Sequence, residues 1–182
     1  PLIYRIYVHR ISMKESLRKH FSMERFRKIW WKMLLLGLGL ASVYLAAYFV
    51  AGYHIDFSSI TDTIQEQANI NLGNILLIGA YIIVLNSLLE EFFWRGFIYD
   101  KMRVQFPGWI THAITGLAFS LHHIVFYYSW FSLPIVAAIT LGLAGYAIIM
   151  NLLFEKTELF SCWLVHAIVD IAQIGIALMV FT

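Results

Sequence analysis

A single cysteine, Cys162, has no second thiol to pair with, so no disulfide within the chain is possible and the redox compartment is left open. Charge is scarcer still. Asp, Glu, Lys and Arg make up 13% of the 182 residues, where a soluble domain carries about 25%. The shortage is also uneven: nine of the thirteen Lys and Arg fall between Arg5 and Lys32, and the stretch 53–71 holds Asp56, Asp62 and Glu66 with no basic residue. Proline is limited to three residues, of which Pro107 and Pro134 mark loops. No H-E-x-x-H helix is present, so the commonest zinc-protease pattern is absent. A chain with so little charge cannot coat a water-soluble surface. A basic run beside an apolar span points to anionic lipid rather than nucleic acid.

What the chain does have is apolar length. With 60% hydrophobic residues and a mean hydropathy of +0.73, it reads as an all-α, polytopic transmembrane helix bundle of about five spans. Each span needs about 20 residues, which leaves room for one domain and no more. The spans are expected at 29–52, 72–99, 109–130, 133–154 and 159–182, so the transmembrane domain occupies 29–182. Residues 1–28 form a basic interfacial or juxtamembrane segment, with Leu17 and Phe21 four apart among basic residues. The chain begins at Pro1 rather than Met, and upstream residues are expected to precede it.

The positive-inside rule places the N-terminus in the cytoplasm and the acidic 53–71 stretch outside. Arg95, Lys101, Arg103 and Lys156 then fall at or near inside-facing ends. Gly37 and Gly39 in the first span, and Gly142 and Gly145 in the fourth, are expected to allow close helix packing.

Against this background three ionisable residues crowd one apolar segment: Glu90, Glu91 and Arg95. An ionisable side chain near the bilayer centre costs about 2.5–3.5 kcal/mol on insertion scales, so such residues face a protein interior or a wet cavity and mark function. Glu91 and Arg95 are four apart on one helical face and can pair. Glu90, about 100° away around the helix, is left over. The plainer reading makes all three a structural ion-pair cluster, but two further spans carry matching groups. The third expected span contains His112, His122 and His123, and the fifth contains Cys162, His166, Asp170 and Gln173. His166 and Asp170 share a face and can hydrogen-bond, which would set the imidazole tautomer.

At 1.5 Å per residue, Glu90 and His166 lie roughly 14 and 11 Å from the inside ends of their spans, and His123 roughly 21 Å. The first two agree. His123 needs a tilt, or a cavity that opens from the cytoplasm. A buried Glu with two His and an Asp can activate water, pass a proton to a leaving amine and stabilise an oxyanion, which is peptide hydrolysis. Zinc held by two His and one Glu is the rival, although every ligand would come from a different span. A Cys162 thiol nucleophile is the weaker alternative.

The motifs Glu90-Glu91-Phe92-Phe93-Trp94-Arg95-Gly96, Phe119-Ser120-Leu121-His122-His123 and His166-Ala167-Ile168-Val169-Asp170 occur in that order on three apolar segments. In this the chain resembles the CPBP family of type II CAAX prenyl endopeptidases and bacteriocin-processing proteins, also called Abi, over about residues 81–174. The resemblance implies an intramembrane endopeptidase. Glu90 and His123 would activate water, His166 and Asp170 would serve the oxyanion, and Glu91, Arg95 and Phe119 would support the site. It also implies no required cofactor, with zinc left open, and a hydrophobic or lipidated peptide or protein as substrate. Membrane lipids surround the bundle, and the site opens toward the cytoplasm. One departure is notable. Prenyl-processing members carry Asn where this chain has Asp170, and an ionised Asp can only accept. Two other classes remain open at this point: a non-catalytic immunity or scaffold protein of the same fold, and a proton-coupled transporter using Glu90 and His123.

Overall fold

The computed structural model describes residues 23–52 and 55–181, and among them there is helix and no strand. Six helices follow one another: α1 Met23–Ala51, α2 Phe57–Ala68, α3 Ile75–Met102, α4 Gly108–Tyr127, α5 Leu133–Lys156 and α6 Leu159–Phe181. The segment read as 1–28 lies outside the described residues up to residue 22, and α1 already begins at Met23.

Four helices, α1, α3, α5 and α6, are long and apolar enough to cross a membrane. The protein is an integral membrane helix bundle. The third expected span, 109–130, corresponds to α4, whose 20 residues include His112, His122 and His123 and fall short of that apolarity. The stretch 53–71, expected as a loop, contains the extra helix α2. Its start is set by Asp56, whose carboxylate accepts from the amides of Ser58 and Ser59 at 3.1 and 3.4 Å and from the Ser58 hydroxyl at 2.6 Å. Its end is set by Asn69, which takes the left-handed conformation at φ 52° and donates its amide to the Gln65 carbonyl.

Apolar helices gain little by leaving lipid, so their association depends on close approach and on polar contacts. α6 lies against α1, α3 and α5. At Gly37 of α1, an added Cβ would come within 2.7 Å of Ile168 Cδ1. At Gly79 of α3 the same atom would meet Ile174 Cγ2 at 2.8 Å. α4 and α5 pair through Gly116, where an added Cβ would lie 3.1 Å from the Ala144 carbonyl. The expected role of Gly39, Gly142 and Gly145 in close packing is not met, because nothing lies within 4 Å of a Cβ built at any of them. The glycine at the α4–α5 crossing is on α4, and it meets Ala144 and Ile148 of α5.

Polar contacts gather several helix ends at one end of the bundle. Tyr99 Oη donates to Glu155 Oε1 at 2.6 Å, and the Tyr99 ring is 5.3 Å from that of His112, tying the end of α3 to the start of α4 and the end of α5. Arg25 Nη1 donates to the Lys156 carbonyl at 3.3 Å, and Phe26 meets Phe160 edge-on at 4.7 Å. This end of the bundle therefore carries Arg25, Lys101, Arg103 and Lys156. Just above it lies the apolar core of Met33, Tyr99, Met150, Phe154, Leu159, Cys162 and Val165.

Candidate active site

α3 is not a uniform helix. It widens into π-helical turns at Ile82–Asn86 and Trp94–Tyr99, and the α-helical piece between them, Ser87–Phe93, carries Glu90 and Glu91. Such turns are rare and recur at functional sites.

Glu91 and Arg95 form the expected pair, with Arg95 Nη1 3.0 Å from Glu91 Oε1 and both side chains sealed from solvent, at 1% and 0% exposure. Arg95 Nη2 also donates to the Ala147 carbonyl at 3.4 Å, and the guanidinium lies 4.8 Å from the centre of the Phe119 ring. Phe119 thus supports the pair through its face.

Glu91 has a second task. Its Oε1 accepts from His166 Nδ1 at 2.7 Å. The expected hydrogen bond between His166 and Asp170 is not made: Asp170 Oδ1 is 3.6 Å from His166 Nε2, beyond hydrogen-bond range. The tautomer of His166 is set by Glu91 because a carboxylate can only accept, so Nδ1 carries the proton. Sequence spacing pointed to the neighbour on the same helix, whereas the group that holds the ring comes from α3.

His123 is held similarly. Its Nδ1 donates to the Phe119 carbonyl at 2.8 Å, one turn earlier on α4, and the two rings lie 4.5 Å apart. A carbonyl only accepts, so the neutral ring presents a bare Nε2. That nitrogen is 3.7 Å from Glu90 Oε2, and His166 Nε2 is 4.0 Å from the same oxygen. His123 therefore reaches the Glu90 carboxylate despite the deeper position estimated from its helix end. Its neighbour His122 turns outward against Trp94 and Phe126, with ring centroids at 5.8 and 6.0 Å.

The motif alone leaves Glu90 with no obvious local partner, and the structure supplies one. Asn86 Nδ2 donates to Glu90 Oε1 at 2.7 Å. Asn86 was absent from the expected site, although its spacing, one turn before Glu90, is a readable signal. Glu90 Oε2, by contrast, is buried with no hydrogen-bond partner, as are Glu91 Oε2, Arg95 Nε, Tyr146 Oη and Asp170 Oδ2 around it. Cys162 is fully buried in the core with its thiol 3.8 Å from the Met150 carbonyl. Among the described residues, no group of three or more His, Cys, Asp or Glu side chains is arranged to hold a metal ion.

The family model described as "Type II CAAX prenyl endopeptidase Rce1-like" matches residues 72–172, over half of the chain. The chain belongs to the Rce1-like family. The match contains Glu90, Glu91, Arg95, Phe119, His123, His166 and Asp170, and it begins early enough to include Asn86 and the first π-helical turn. No curated protein and no solved structure matches the chain. As an Rce1-like member it falls in a family of membrane proteases, in agreement with the resemblance drawn from its three motifs.

Proposed function

We propose that the protein is an intramembrane endopeptidase of the glutamate type, in which Glu90 and His123 activate water for attack on a peptide carbonyl. One observation carries this reading: Glu90 Oε2 is buried without a partner and faces His123 Nε2 at 3.7 Å and His166 Nε2 at 4.0 Å. A carboxylate oxygen and a bare imidazole nitrogen are both acceptors. Two acceptors at that separation have no direct hydrogen bond to make, and a water donating one O–H to each satisfies both.

In the proposed reaction Glu90 takes a proton from that water as the oxygen attacks the carbonyl, and the carbonyl oxygen becomes an oxyanion. His166, anchored by Glu91, faces the oxyanion and donates from Nε2 when protonated there. Asp170 can donate only while protonated, so it acts on the oxyanion in that state or otherwise orients His166. The proton held by Glu90 then passes to the leaving amine, and the peptide bond breaks. No metal is required in this scheme.

The substrate is proposed to be a hydrophobic or lipidated peptide or protein arriving from surrounding lipid. Exposed Phe126 and the Trp94–His122 pair beside His123 supply apolar surface for it. A cytoplasmic N-terminus and a site opening toward that side are also proposed, supported by the basic helix ends that share one end of the bundle.

Cleavage of a library of hydrophobic and prenylated peptides by the detergent-purified protein tests the reading, with and without chelator. Activity that survives chelator and Cys162→Ala but disappears in Glu90→Gln and His123→Ala is the expected result. Loss with chelator in the unaltered protein would replace the water-only scheme with zinc.

A further inference from the structure

The turn just before the acidic pair is held open by contacts of its own. At Ile82–Asn86 the amide of Ser87 reaches back to the Ile82 carbonyl, so the ordinary ladder is interrupted. The next two carbonyls are taken by side chains. The Ser87 hydroxyl donates to Ile83 at 2.5 Å, and Trp163 Nε1, from α6, donates to Val84 at 3.2 Å. An interrupted ladder whose carbonyls are satisfied this way is a built element rather than a frayed one. Its last residue is Asn86, whose amide donates to Glu90 Oε1 at 2.7 Å.

The two oxygens of a free carboxylate are equivalent, and its terminal torsion is soft. A donor fixed on one oxygen removes that freedom and leaves the other aimed. We infer that Asn86 is a positioning residue: by occupying Glu90 Oε1, it commits Glu90 Oε2 to the space between His123 and His166. This rests on the reading of Glu90 as the base. The amide does not touch the reacting atoms, and its contribution comes through the orientation it imposes. The opposing view is that Asn86 merely satisfies its own amide within an apolar helix.

The test measures kcat and KM across the acid to neutral range for Asn86→Leu, Asn86→Asp and Glu90→Gln, using the peptide cleaved fastest by the unaltered protein. Misplacing a base by a fraction of a bond length to an ångström costs about tenfold to a hundredfold, so Asn86→Leu is expected to lower kcat by that factor with KM nearly unchanged. Asn86→Asp should approach the unaltered protein at acid pH, where a protonated carboxyl can donate to Glu90, and fall to the Asn86→Leu level as pH rises and the donor is lost.

The carboxylate stretch assigned to Glu90 by difference infrared spectra against Glu90→Gln should also shift in Asn86→Leu, a readout that needs no substrate. Full kcat in Asn86→Leu, an unshifted Glu90 band, or an Asn86→Asp profile that parallels Asn86→Leu at every pH overturns the assignment. Retained cleavage by Glu90→Gln overturns the proposed base itself. An inactive Glu90→Gln beside a fully active Asn86→Leu removes only the role of Asn86.

Discussion

Replacing Arg95 with Met should destabilise the bundle far more than the loss of a single hydrogen bond would. Glu91 Oε1 accepts from Arg95 Nη1 at 3.0 Å and from His166 Nδ1 at 2.7 Å, and neither Glu91 nor Arg95 has meaningful access to solvent. Removing the guanidinium leaves an ionised carboxylate buried with one imidazole partner, and breaking a buried pair from one side costs about 3–5 kcal/mol. For a chain of this length each kcal/mol shifts the thermal midpoint by about 2–4 °C, so Arg95→Met should lower it by about 6–20 °C in detergent. Glu91→Leu combined with Arg95→Met removes both charges, and a matched apolar pair is often neutral in place of a buried ion pair. The double variant should therefore unfold at a higher temperature than Arg95→Met alone, with a coupling of about 1–3 kcal/mol. It should still be inactive, because His166 has lost the group that sets its tautomer. A midpoint shift below about 3 °C in Arg95→Met, or strictly additive costs in the double variant, would refute the idea that Glu91 needs this counter-charge.

Two further predictions concern the frame around the site. Gly37→Ala should destabilise by about 1–3 kcal/mol through overpacking against Ile168, whereas Gly39→Ala should be neutral or stabilise by up to about 1 kcal/mol through helix propensity, both read by thermal unfolding. At Asp56 the Ser58 hydroxyl, helped by the Ser59 amide, holds the carboxyl below its ordinary value of 3.8, so its stabilising effect on α2 is present above that pH and fades as pH falls through the folded-state value. The difference in midpoint between the unaltered protein and Asp56→Ala should accordingly be full at neutral pH and vanish in strong acid; a difference that persists there would contradict the capping role.

Much of the architecture is legible in the sequence because apolar runs of membrane-spanning length leave few alternatives. Expected boundaries at 72–99 and 133–154 fall within a few residues of the helices Ile75–Met102 and Leu133–Lys156. α2 is harder to read, since the polar composition of 53–71 resembles a loop. Asp56 two residues before Ser58, with Ile60 and Ile64 one turn apart, are the only local signs of it. Within the site, helical spacing suffices for Glu91 with Arg95, whose partners lie on the same element. It fails for His166, because spacing offers Asp170 and says nothing of Glu91 on another helix. Asn86 escapes for a different reason: an amide in an apolar helix carries no charge to attract notice, although it lies on the same face as Glu90. Gly142 and Gly145 mislead because a glycine announces that a close approach is possible, not that a neighbour is there.

The two π-helical turns of α3 make the site sensitive to length as well as to composition. Each holds more chain per turn than the helix on either side, so a 3.6-residue periodicity carried straight along the sequence of α3 loses its register at both turns. Removing one residue from Ile82–Asn86 would let the backbone close into an ordinary helix without strain. The parts of α3 on either side would keep nearly their present facing, because that closure removes the one extra residue that the widened turn holds. A one-residue deletion within the ordinary turns of Ile75–Tyr81 would instead rotate the part before it by about 100° relative to Glu90 and Glu91. Aligning or grafting this helix by its hydrophobic pattern alone would therefore place its carboxylates on the wrong side of the bundle, even with every residue of the three motifs retained.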